Sequence, residues 1–211
     1  MYCILPFFLG FMSAFLGVLP PGLLNMSASK ISVRDGRLRA VLFAVGAVLL
    51  VFFQTYISVS FAQIIDKNQG VLNVLREVGL AIFLALTVFF FYTSKKYKPK
   101  NEAFKIKSKK RSFFHGMMLS ALNFFPIPYY VFVSVALSSY GWFSFEKNEV
   151  TAFVIGAGFG SFMVFYLYIV FFKKMEKQSV FILTNMNYII GTITGIVALI
   201  SLVNVLSFYI K

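Results

Sequence analysis

Apolar residues run along this chain in blocks too long for the core of a small soluble domain, parted by short polar or basic stretches. Six blocks, at residues 4–25, 41–62, 71–92, 113–137, 150–172 and 180–210, reach the roughly 17–25 residues that an α-helix needs to cross the hydrocarbon. The last is long enough to tilt or to protrude. The pattern predicts an all-α integral membrane protein with six transmembrane helices.

The blocks are not independent of one another. Phe7, Phe8, Gly10, Met12, Leu16 and Pro20 reappear 106 positions later as Phe113, Phe114, Gly116, Met118, Leu122 and Pro126. A second echo pairs Phe43, Gly46, Ala47, Phe52 and Tyr56 with Phe153, Gly156, Ala157, Phe162 and Tyr166. Duplication of a three-helix unit explains both echoes. It divides the chain into a first repeat at 1–93, a basic linker at 94–112 and a second repeat at 113–211.

Composition agrees with this solvent: 59% of residues are hydrophobic and only 13% are charged. The formal charge of +13 is distributed as a membrane protein distributes it. Sixteen of the twenty Lys and Arg residues follow the first span, fill the linker or follow the fifth span. The positive-inside rule then places those segments in the cytoplasm and both termini outside. A nucleic-acid patch is not needed to explain the charge, and the lipid bilayer is the expected macromolecular partner. A unit of three spans enters on one side and leaves on the other, so its second copy is expected upside down.

Several kinds of chemistry lack their residues. Cys3 is the only cysteine, so no intramolecular disulfide or dithiol couple forms. His115 is the only histidine and reads as an interfacial residue. All seven acids fall in loops or near a span end, including Glu77 beside Arg76, which reads as an interfacial anchor. Hard divalent metals need several carboxylate or carbonyl oxygens, and membrane hydrolysis needs a nucleophile with a base and its partner or a pair of central carboxylates, so neither a metal site nor a catalytic site is expected, and no cofactor is implied. Gly156 and Gly160 have the spacing of a close helix contact, not of a nucleotide loop.

What remains is a pair of interrupted helices. Pro20 and Pro21 cannot donate to the carbonyls of Leu16 and Gly17, and Pro126 and Pro128 cannot donate to those of Leu122 and Phe124. Backbone at membrane depth tolerates such gaps only where protein or a water-filled cavity satisfies the freed groups. Exposed helix ends carry about half a charge each, which suits an ammonium and a carboxylate on one small solute. The candidate substrate-binding set is Gly17, Pro20, Pro21, Gly22, Asn25, Gln54, Asn123, Pro126, Pro128 and Tyr129, with Tyr56, Tyr130 and Tyr166 as further polar groups able to line a path. Asn123 stands opposite its small repeat partner Gly17, which is expected to leave room.

Gly10 and Gly17 leading into Pro20, Pro21 and Gly22, the turn Arg34, Asp35, Gly36, Arg37 before Gly46, and the segment from Asn123 to Pro128 together resemble the LysE/RhtB family of bacterial amino-acid exporters. The likeness is to the branch with Pro-Pro-Gly and Pro-x-Pro signatures and covers essentially the whole chain. It implies a multi-pass protein of the bacterial cytoplasmic (inner) membrane that exports amino acids or related zwitterions, driven by the proton gradient. A passive channel or a non-transporting scaffold is the alternative reading, and a metal-ion exporter fits less well. The sequence leaves homo-oligomerisation open.

Overall fold

The computed structural model describes residues 3–20, 22–67, 80, 81, 84, 85, 87–89, 91, 92, 108–184, 188, 191, 192, 195, 196, 198, 199, 202, 203 and 206, with backbone alone over 172–184. Pro21, the Arg76 and Glu77 pair, and linker residues 94–107 lie outside this set. Helices dominate the described residues, and no strand occurs among them.

The chain opens with α1 (Ile4–Val18), where Pro6 is harmless because the first turn has no intrahelical use for its amide. After an extended Gly22 comes α2 (Leu23–Asp35). Gly36, at φ 97°, turns the backbone in a conformation that other residues rarely adopt, and α3 (Arg37–Asp66) follows at once. Arg39 Nη1 donates to the Asp35 carbonyl at 3.1 Å and closes the end of α2. The second half supplies α4 (Lys109–Ala121), α5 (Pro126–Ser139) and the long α6 (Lys147–Thr184). Glu149, in the first turn of α6, accepts from the Ser144 amide and hydroxyl at 2.8 and 2.9 Å, a favourable place for an anion.

The first and fourth spans are interrupted at the prolines, and two bounds differ from those expected. The first and fourth blocks are bent helix pairs, α1–α2 at 77° and α4–α5 at 62°. Residues 26–35, expected as a basic loop, continue α2, and α4 starts at Lys109 instead of Phe113. By length and composition α3 and Lys147–Phe171 are able to cross a membrane, and each bent pair makes one more span if counted as a unit.

Chain contacts separate two compact units, Met1–Asp66 with Glu102–Lys177, and Lys67–Asn101 with Gln178–Lys211. In the first, small residues bring helices into backbone contact. A Cβ on Gly10 would overlap the Phe153 carbonyl, and one on Gly156 that of Phe7. Likewise Gly46 lies on the Phe113 carbonyl and Gly116 on that of Phe43. Gly160 meets Phe11 one turn beyond Gly156, so the spacing read from the sequence seats α1 on α6. Two buried clusters fill the interior, one around Tyr130, Phe143 and Phe153, the other around Phe43, Ala47 and Phe165, and Phe52 touches both. Large apolar side chains such as Phe8, Met12 and Leu16 of α1 and Phe53 and Phe61 of α3 are exposed. A lipid surround removes the cost that water would impose on them.

In the second unit the Phe91 and Tyr188 rings stand 6.2 Å apart, and Gly191 and Gly195 face Phe91 and Thr87.

Candidate functional site

A helix end buried in the membrane leaves carbonyls that must find donors. At the first break the donors come from two side chains. Asn25 Nδ2 donates to the carbonyls of Val18 at 2.6 Å and Pro20 at 2.9 Å. The intervening Leu19 carbonyl accepts from Tyr168 Oη at 2.9 Å. α2 is tied down by the same helix, since Ser29 and Ser32 donate to the carbonyls of Tyr168 and Ile169 at 3.2 and 3.1 Å.

At the second break one side chain does comparable work. Gln54 Nε2, from α3, donates to the carbonyls of Ser120 at 3.1 Å and Asn123 at 2.9 Å. The side-chain donors thus go to carbonyls at the bends themselves, and of the four carbonyls that the proline positions mark, Phe124 accepts from the Ile127 amide at 3.2 Å. α1 and α4 stop short of the prolines. Pro126 begins α5 and Pro128 is its third residue, where a helix has no intrahelical acceptor for an amide.

The two breaks are joined. The Tyr129 ring of α5 covers Gly17 of α1, with a Cβ on that glycine placed 2.9 Å from two ring carbons. Tyr129 Oη donates to the Ser13 carbonyl at 2.7 Å. Gly17 therefore leaves no room for Asn123, because Tyr129 already occupies its open side. Asn123 is half-buried, and its side chain makes no hydrogen bond among the described residues.

Of the expected residues, Gly17, Pro20, Gly22, Asn25, Gln54, Asn123, Pro126, Pro128 and Tyr129 all fall at or beside the breaks. Tyr56 and Tyr166 do not. Both are exposed, and Tyr166 lies under the Arg37 guanidinium, 5.6 Å from the ring centre. Tyr130 is buried with Thr55 and Ser161, whose hydroxyls approach its phenol without the geometry of a full hydrogen bond. Sequence reasoning missed Tyr168, Ser120, Thr55 and Ser161. The spacing of Ser161 and Tyr168, seven residues apart on α6, marks one helix face and was the available signal.

Asn25 and Gln54 are 3% and 6% exposed, and neither Asn25 Oδ1 nor Gln54 Oε1 has a hydrogen-bond partner among the described residues. Each carboxamide spends its hydrogens on two carbonyls and keeps an acceptor in the interior. No group of three His, Cys, Asp or Glu side chains gathers as metal ligands among the described residues. Comparison with curated proteins and with solved structures gives no match. The profile of the LysE type translocators matches residues 7–204, so this multi-pass membrane protein belongs to the LysE type translocator family.

Proposed function

We propose that this protein is a secondary transporter exporting amino acids or related small zwitterionic metabolites across the bacterial cytoplasmic membrane, by proton-driven alternating access, with its substrate bound where the two helix breaks adjoin. The junction of Gly17 with Tyr129 carries this reading, because it ties the second break to the end of α1. Discontinuous helices facing each other are the means by which transporters offer backbone dipoles to a solute.

The glycine contacts support two inverted repeats as the frame for alternation. Under the repeat correspondence, Gly10 on Phe153 becomes Gly116 on Phe43, and Gly156 on Phe7 becomes Gly46 on Phe113. A twofold exchange of the halves converts one set into the other. With three spans in each half, that axis lies in the membrane plane and both termini are outside.

The test compares amino acids released by cells with and without the protein, loaded with a mixed amino-acid pool. Selective excess release of one or a few amino acids is expected. Identical release profiles for the whole pool would refute export.

A further inference from the structure

The two breaks are built from different chemistry. At the first, the cap Asn25 belongs to α2 itself, and α2 opens with Leu23 and Leu24, which keep their N–H groups. At the second, no residue in the first turn of α5 has an amide to offer, and only that of the N-cap Phe125 is left. Pro126 and Pro128 lack the hydrogen, Ile127 donates to Phe124 at 3.2 Å, and Tyr129 donates to Phe125 at 3.3 Å. The part of a helix that ordinarily holds an anion is reduced to a single amide here.

Opposite that turn stands the carbonyl end of α4, the negative end of its dipole. Gln54 adds to the same sign. Its amide orientation is forced, because both of its neighbours are acceptors and only the nitrogen can meet them. The oxygen that remains is buried and without a partner among the described residues, on the same amide whose nitrogen meets the Ser120 and Asn123 carbonyls. A buried acceptor left unmet is costly, and a donor of positive charge is the group best able to meet it.

Building on the transport reading above, we propose that the α4–α5 break is the cation subsite of the path. The ammonium group of the substrate binds Gln54 Oε1 beside the terminal carbonyls of α4. Gln54 is then the specificity-determining residue for an amino group, while the two prolines keep carboxylates from the same place. Since Gln54 stands on α3 and the carbonyls on α4–α5, the subsite is shared between the two repeats.

The test uses full-length protein in lipid nanodiscs and reads the midpoint of thermal unfolding with n-propylammonium chloride, sodium propionate or sodium chloride at equal ionic strength. Propylammonium is expected to raise the midpoint by several degrees and the two sodium salts to leave it in place. Gln54→Met should lose the shift. If that variant does not fold, Gln54→Asn, which keeps the amide but retracts it, should need about tenfold more propylammonium. Equal shifts from propylammonium and propionate, no shift from propylammonium, or a full shift kept by the Gln54 variant would overturn the assignment. An equal shift from sodium chloride would do so too, by making the place one for any monovalent cation. Export in cells without an ammonium-dependent shift removes the subsite alone, whereas the shift without export removes the transport reading alone.

Discussion

Gly116→Ala isolates the close approach of α3 and α4. The new methyl would overlap the Phe43 carbonyl, which is backbone and cannot rotate away. The helices must therefore part by on the order of 1 Å, and overpacking of this kind costs about 1–3 kcal/mol. Alanine recovers up to about 1 kcal/mol by its better helix propensity. At the middle of both ranges the net loss is about 1.5 kcal/mol, or a fall of about 3–6 °C in thermal midpoint for a chain of this size. Gly10→Ala meets the Phe153 carbonyl in the same way and should fall by a similar amount. Gly22→Ser supplies the control, since nothing lies nearer than 4.0 Å to a Cβ there and serine is a good N-cap for α2. Its midpoint should stay level or rise. The assay is thermal unfolding of the purified full-length protein in detergent, read by the fraction that remains monodisperse. A Gly116→Ala protein as stable as the parent would refute backbone contact at this place.

Tyr168→Phe should lower the midpoint by the loss of one donor, with about 1–3 kcal/mol at stake, and Asn25→Leu should lower it further because it strands two carbonyls, as the same assay would register. Asn123→Leu should abolish export while leaving membrane-inserted protein at the parent level, since that side chain holds no structural hydrogen bond among the described residues; export at the parent rate would reduce Asn123 to a packing residue. With Cys3 replaced, a cysteine at Asn101 should react only with reagents that enter the cytoplasm and one at Asn148 from outside, and labelling of both from one side would overturn the inverted topology.

Much of this architecture is legible in the sequence because bilayer thickness and proline chemistry leave few alternatives. The echo of Phe7 through Gly22 in Phe113 through Pro128 pointed to both breaks, and the small residues Gly156 and Gly160 pointed to a helix seat that α1 fills. The capping pattern was not legible. Gln54 reaches Ser120 across 66 positions and Tyr168 reaches Leu19 across 149, and no local period reports which carbonyl a distant side chain will meet. Gly17 misled for a related reason. A small residue signals close approach but not the identity of what approaches, and the occupant is Tyr129 instead of Asn123. Tyr56 and Tyr166 stand exposed and away from the breaks, where an aromatic hydroxyl serves a lipid interface as well as a solute path.

Uptake of a radiolabelled amino-acid mixture by sealed inside-out vesicles carrying the protein addresses the central claim most directly. The account predicts that an imposed proton gradient drives one or more amino acids above their outside concentration, and that an uncoupler returns them to equilibrium. Uptake that stops at equilibrium with the gradient in place, and is indifferent to the uncoupler, would contradict it.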